Sequence, residues 1–375
     1  MAITGNKGDW SEFYAMLKLL GDGVMYSADG ELNKIEKYFY PILNVIREEE
    51  GLNLERESAN SQILVYENDV KVLEVPTSDF VAMYQFLYQR IVNAKDAAFP
   101  ITEAEDFMRK IRCKRLKALS SDKKDIVIRI HDLRTGMDPT LGFSIKSMLG
   151  KDSTLFNYSE ATNITYKIVG DISESQMEEV NSIEDQLLRM DKLYDLGCDL
   201  EYAYYDSDVC LCNFQLVDSV FPQFMAELVR MYFYREAETT SVKDLVELLE
   251  QRNPFGLNEN TVFYPHKMKQ FLIYVALGMT AAKQWNGRYD ANGGFIVVKS
   301  DGDVVCYHFY DRNDVEDYLY NNTRFDNPSR DRCGGWGSVF KGDDGNFYIT
   351  LNFQVKSKNK KQRKTQRIRT PRHTN

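Results

Sequence analysis

Apolar positions along this chain recur at two periods, and the switches between them mark its elements. From Asp9 to Leu20, Phe13, Met16, Leu17 and Leu20 fall at helical spacing, and Gly21 and Gly23 end the run. Residues 30–60 read as an amphipathic helix bearing Tyr38, Ile42, Val45 and Ile46. Residues 61–75 alternate instead, with Ile63 and Val65 before, and Val70, Val72 and Val75 after, the polar pair Asn68-Asp69. That predicts a hairpin with a two-residue turn. Two or three helices are expected over 77–120, in the runs DFVAMYQFLYQRIVNA and ITEAEDFMRKIRCKRLKAL.

Alternation returns in the stretch DIVIRIHDLRTGMDPTLGFSIKS, Asp125 to Ser147. Its two apolar runs flank Gly136, Pro139 and Gly142, which predicts an antiparallel hairpin. Further on, a strand is expected over 164–169 and mostly helices over 171–255. The run DLEYAYYDSDVCLCNFQL between those helices can include a strand. A helix over 264–284 is followed by strands FIVVKS and VVCYHFYD joined at Asp301-Gly302, and FYITLNFQV reads as a last strand. The fold class is therefore α/β (α+β), with a mixed sheet flanked by helices. The organisation expected is a mainly helical region 1–120, a core 121–355 and a tail 356–375.

Composition narrows the picture. With 43% hydrophobic and 13% aromatic residues the chain can bury a large core. No run of about 18 apolar residues occurs, so no membrane span is expected. The start MAITGNKGDW has no apolar signal segment. Six cysteines show neither disulfide-framework nor zinc spacing, and Cys210 and Cys212 would share one face of a strand. Reduced thiols in a cytoplasmic protein are expected. The net charge of −9 conceals a basic tail: residues 356–375 hold nine Lys or Arg and no acid, which leaves −18 on the rest. So acidic a body excludes a general nucleic-acid coat protein, whose affinity comes from neutralising phosphates. It does not exclude a specific nuclease, where only a cleft needs to be basic. The tail reads as disordered and able to add nonspecific DNA affinity.

The candidate chemistry sits on the central hairpin. Strand alternation puts Ile126, Ile128 and Ile130 on one face, and Asp125, Val127, Arg129 and His131 on the other. Phe143 and Ile145 face one way, Ser144 and Lys146 the opposite way. A pairing centred on Thr135-Gly136 would set Asp125 directly across from Lys146. Such a pair can be a plain cross-strand ion pair. It can also be the core of a metal-dependent nuclease, with the acid holding a divalent cation and the lysine attending the attacking water. Asp132 is the rival acid, although alternation places it with the isoleucines unless a bulge intervenes. His131 reads as structural. The basic run Arg109, Lys110, Arg112, Lys114, Arg115 and Lys117 is either a solvated face or a phosphate contact. Arg324, Arg330 and Arg332 suit guanine O6 and N7, or phosphates, or ion pairs with Asp326 and Asp331.

Three motifs occur in order: GNKGDWSEFYAMLKLLGDG at the start, DIVIRIHD…GFSIKS…STLFN in the middle, and GGFIVVKSDGDVVCYH…YLYNNTRFD…SR near the end. Together they resemble the HpaII family of type II restriction endonucleases, in the PD-(D/E)xK nuclease superfamily. The likeness runs to about Val355. It implies a PD-(D/E)xK core and double-strand cleavage at a short palindrome, CCGG in the best-known member, blocked by cytosine methylation. Double-stranded DNA, a magnesium ion (manganese in its place is possible), a homodimer on DNA and a separate cognate methyltransferase are implied with it. Asp125, Glu12 and the Ile145 carbonyl would hold metal, and Lys146 would attend the water. Glu12 can equally be a first-turn glutamate favoured by the helix dipole. Lys7 is either a phosphate contact or solvated, and the polar segment with Lys151, Ser153, Thr154, Asn157 and Asn163 would follow the DNA backbone or reach a groove where it is not a plain surface connection. The superfamily pattern expects an acid two residues before the lysine, and Ser144 stands there. That departure sustains an alternative, a catalytically inactive or nicking DNA-binding protein on a nuclease-like fold.

Overall fold

Asn6 starts the first helix by accepting the Asp9 amide, while the Asp9 side chain accepts the Asn6 amide in return. Gly23, at φ 73°, ends it in the left-handed conformation that glycine adopts without a Cβ clash. In the computed structural model, which describes residues 3–117, 124–150, 152–289, 291–328, 333–334 and 336–358, this is helix α1 (Lys7–Asp22), after the short strand β1 (Thr4–Gly5). The chain continues through β2 (Val24–Ala28), β3 (Lys34–Arg47), β4 (Leu52–Glu57), β5 (Gln62–Glu67), β6 (Val70–Pro76), α2 (Thr77–Asn93), β7 (Phe99–Pro100), α3 (Thr102–Lys110), β8 (Ile126–Ile130) and β9 (Thr140–Ser147). Then come β10 (Thr154–Phe156), β11 (Ile164–Val169), α4 (Glu174–Ser182), α5 (Gln186–Asp195), β12 (Asp199–Tyr205), α6 (Asp208–Val217), α7 (Phe221–Phe233), α8 (Val242–Arg252) and α9 (Phe263–Ala276). Last are β13 (Gly294–Val298), β14 (Val304–His308), α10 (Arg312–Asn321), β15 (Thr323–Asp326), β16 (Val339–Lys341), β17 (Phe347–Leu351) and β18 (Gln354–Ser357).

Contacts divide the chain into two units, Met1–Ser153 with Tyr289–Tyr318, and Thr154–Arg288 with Leu319–Asn375. The expected break at residue 120 is not where this division falls. Residues on both sides of it share the first unit, because β3 of the expected helical region hydrogen-bonds β8 of the expected core.

The first unit is built on a nine-stranded mixed sheet, ordered β2-β14-β13-β9-β8-β3-β4-β5-β6. Strand β2 also pairs with β3, so the first six strands close on one another. The β8–β9 hairpin lies inside this ring, with β13 running parallel to β9. Helix α1 covers the apolar face: Trp10, Phe13, Leu17 and Leu20 pack in one core with Ile126, Ile128, Phe143 and Ile145. The second unit holds a four-stranded sheet, β12-β11-β17-β16, and a three-stranded one, β10-β18-β15. Its core is aromatic, with Phe214 meeting Phe221 and Phe271 edge to face.

Several expected elements are confirmed. The β5–β6 hairpin turns on Asn68 and Asp69, both at positive φ, as its tight turn requires. The β13–β14 hairpin forms as expected. Others are corrected. Residues 34–47 and 52–57 are strands, not a helix, and Pro41 sits within β3. Helix α3 stops at Lys110, and Arg112 takes a left-handed φ of 65°. The basic run is therefore not one helical face, and four of its members pair with acids: Arg109 with Asp106, Lys110 with Asp79, Lys114 with Glu67, and Lys117 with Asp9. Cys210 and Cys212 lie on helix α6, where two residues turn about 200°, so one thiol is buried and the other exposed. The run FYITLNFQV is broken at Asn352-Phe353 into strands of different sheets. No helix among the described residues is long and apolar enough to cross a membrane.

Candidate active site

The central hairpin forms with its alternation intact: Ile126, Ile128 and Ile130 are buried, and Arg129 is exposed. Ile126 faces Phe143, and Val127 faces Gly142. The Asp125 amide extends the ladder, donating to the Phe143 carbonyl at 2.8 Å. This register differs from the pairing expected around Thr135-Gly136. It is centred between Arg134 and Thr135, because Asp132 bridges Met137 and the Gly136 amide closes on the Asp132 carbonyl at 2.7 Å. The residue beside Asp125 is consequently Ser144, not Lys146.

Ser144 donates its hydroxyl to Asp125 Oδ2 at 3.0 Å, and the Ile145 amide donates to the same oxygen at 2.6 Å. Bonds to an ionised acceptor are the strong kind, and two of them fix the carboxylate plane. Asp125 Oδ1 has no protein hydrogen bond among the described residues, and Asp125 is only half-buried. Ser144 thus orients the aspartate without adding a charge. Two residues on, Lys146 is half-buried, and its ammonium makes no ion pair among the described residues.

Where β9 ends, the first unit opens a cleft of about 800 Å³. Its wall includes Ile145, Lys146 and Ser147 from β9, Lys7, Asp9 and Glu12 from the first turns of α1, and Lys95, Asp96 and Ser153. Glu12 and Lys146 are therefore brought to one cavity from positions far apart in the sequence. Asp125 is not part of that wall. It reaches it through Ile145, which it grips and which lines the cleft. Lys117 closes on Asp9 at 2.8 Å, and this bond, with a contribution from Glu12, raises the lysine's pKa. Lys7 turns its ammonium to the Val92 carbonyl at 3.1 Å.

Oxygen donors dominate these groups, with one carboxylate oxygen open on Asp125 and a second carboxylate on Glu12. Among the described residues no cluster of three His, Cys, Asp or Glu could hold a metal. The set fits magnesium, which keeps several waters and needs one or two carboxylates plus substrate phosphate. It does not fit a fully protein-ligated ion.

The other expected residues lie elsewhere. Asp132 is buried at the turn end of the hairpin, accepting the Arg134 amide at 2.9 Å. Thr154, Asn157, Asn163 and Arg324 belong to the second unit. Asn163 is buried and accepts from Asn352 at 2.6 Å. Arg324 pairs with Asp326 at 3.2 Å, one of its expected alternatives. His131 pairs with Asp138 at 2.7 Å, in keeping with a structural part. Lys151, Arg330, Arg332 and the tail beyond residue 358 lie outside the described residues. Asp9, Lys95 and Asp96 were missed as cleft residues. Only Asp9 carried a signal, the Asn-x-x-Asp capping pattern.

Glu12 and Lys146 line one polar cleft, and Asp125 holds the Ile145 amide at its wall. Comparison with known proteins gives the class. A family model for the HpaII restriction endonuclease matches residues 6–357. The chain is also 39% identical over 360 residues to the type II restriction enzyme HpaII of Haemophilus parainfluenzae, covering 94% of this chain and 98% of the relative. No solved structure matches. The chain belongs to the HpaII family of restriction endonucleases and is a type II site-specific deoxyribonuclease.

Proposed function

We propose that this enzyme makes magnesium-dependent double-strand cuts at a short palindromic DNA site, CCGG, through the cleft at the end of β9. The observation that carries this is the Asp125–Ser144–Ile145 grip beside Lys146, which shares a cleft with Glu12. Asp125 and Glu12, with the Ile145 carbonyl, are the groups that would hold the ion. When bound, magnesium supplies Lewis-acid charge for the phosphoryl oxygens and lowers the pKa of water. Lys146 presents its ammonium to the attacking water and the scissile phosphate, orienting one and neutralising the other. Ser144 and the Ile145 amide keep the Asp125 carboxylate at one orientation, so no reorganisation is needed when DNA arrives. The β8–β9 hairpin, parallel β13 and α1 across the apolar face constitute the PD-(D/E)xK core in this reading. A palindromic target favours a twofold dimer on DNA. A separate methyltransferase protects the host sites, and both act in the cytoplasm.

The test is to incubate purified protein with unmethylated plasmid or phage DNA, with magnesium and with EDTA, and to map the fragment ends. Discrete magnesium-dependent fragments ending within CCGG are expected, and none from DNA methylated at the cytosines of the site. Discrete fragments at another palindrome would overturn the site assignment alone. Equal cutting in EDTA would overturn the metal reading.

A further inference from the structure

Glu12 and Lys146 come from elements that share no strand pairing, so something must fix their register. One directional chain of hydrogen bonds crosses between those elements beside both residues. The Leu149 amide donates to Ser147 Oγ at 3.1 Å, Ser147 Oγ donates to Ser11 Oγ at 2.8 Å, and Ser11 Oγ donates to the Lys7 carbonyl at 2.6 Å. Ser147 follows Lys146, and Ser11 precedes Glu12. Ser11 is fully buried. Each hydroxyl accepts one bond and donates one, so neither is free to rotate.

Two further features confine the same segment. The Met148 amide donates to the Val298 carbonyl at 2.8 Å, holding the end of β9 to β13. A Cβ built on Gly150 would stand 3.1 Å from Lys7 Cβ, so the chain after β9 lies directly on the first turn of α1. Packing fixes how far apart the two elements are. It does not fix their slide along one another, which the paired hydroxyls do, because a hydrogen bond weakens steeply with distance and angle.

We infer that Ser11 and Ser147 are positioning residues that hold the α1 carboxylate in register with the β9 lysine. This rests on the proposed assignment of Glu12 and Lys146. Small displacements of reacting groups cost rate while leaving remote binding contacts intact.

The experiment compares Ser11→Ala, Ser147→Ala, the double variant and Ser147→Thr with Glu12→Gln and Lys146→Ala. It measures single-turnover cleavage at saturating DNA, the magnesium concentration for half-maximal rate, affinity for a CCGG duplex in EDTA, and Tm. Either alanine variant should lose about tenfold in rate, the scale of one hydrogen bond, and need several-fold more magnesium. Duplex affinity in EDTA should stay within about twofold, because the relay acts on the metal-dependent step. The double variant should be about as slow as the single ones, since each single change already breaks the shared Ser147–Ser11 bond. Ser147→Thr, which keeps the hydroxyl, should recover most of the rate. Full cleavage by the alanine variants, beside inactive Glu12→Gln and Lys146→Ala, would overturn the inference alone. A rate loss matched by lower duplex affinity and Tm, unrescued by threonine, would also overturn it in favour of simple destabilisation. Normal cleavage by Glu12→Gln and Lys146→Ala would overturn the site assignment and this inference together.

Discussion

The two ends of the β8–β9 hairpin each carry an aspartate, and they differ mainly in access. Asp132, at the turn end, is 1% exposed, and its Oδ2 is buried with no hydrogen-bond partner among the described residues. Burial raises its pKa, but the Arg134 amide and Thr135 outweigh that and hold it below the ordinary range. Asp125, at the other end, is half-buried, with one oxygen fixed by two bonds and the other without a hydrogen bond among the described residues. The first carboxylate is closed to DNA and to a hydrated cation, whereas the second is only half-buried. The comparison teaches that charge alone does not mark a reactive acid. Asp125→Ala should lower cleavage by about a thousandfold, on the order of 4 kcal/mol in the transition state. Asp132→Ala, corrected for folded fraction, should cost less than tenfold. Single-turnover rates check this, and the reverse ranking would break the comparison.

The closed end makes its own prediction, about stability. His308 is 2% exposed and stacks on Tyr40, and its Nδ1 accepts the Tyr310 amide at 3.1 Å. Burial, with Arg134 adding to it and Asp311 and Asp132 opposing, lowers its pKa from 6.5 to about 4. Between those values the unfolded chain binds a proton that the folded chain refuses. Stability contributed by this group is thus complete above about pH 6.5 and falls as pH drops towards 4, by about 3 kcal/mol in all. Urea titrations across that range should show the slope, and His308→Phe should flatten it. In the same assay Asp132→Asn should cost about 2 kcal/mol, by weakening a buried charge-assisted bond, and Asp125→Asn less than half as much. Equal losses would mean that the two ends are equally structural.

How much of this was legible in the sequence follows from which features are local. The hairpin and α1 were readable because alternation, caps and turn glycines act over a few residues. Residues 34–47 misled because β3 carries an irregularity between Ile42 and Asn44. A bulge adds one residue, so Ile42 and Val45 fall three apart on one strand, as they would on a helix. Pro41 was the counter-signal, since a helix interior excludes it. The Asp125–Ser144 adjacency depended on which residues close the turn, and a one-residue change of centre moves each cross-strand partner by two. The Ser11–Ser147 bond joins residues 136 apart, and no period or motif in the chain announces it.

A smaller expected effect than that of Asp125→Ala tests Ser144, which stands where the resemblance expects an acid. If Ser144 serves Asp125 as a neutral donor, Ser144→Ala removes one of two bonds to Oδ2 and should cost about tenfold in cleavage, leaving the Ile145 amide to orient the acid. Restoring an acid by Ser144→Asp should not help. Ser144 Oγ lies 3.0 Å from Asp125 Oδ2, and two carboxylates near that separation cannot both ionise easily, so one pKa rises. Ser144→Asp should therefore cleave more slowly than the parent at neutral pH and gain as pH rises. A faster enzyme at neutral pH would mean that the position wants charge after all, and that Asp125 is oriented chiefly by the Ile145 amide.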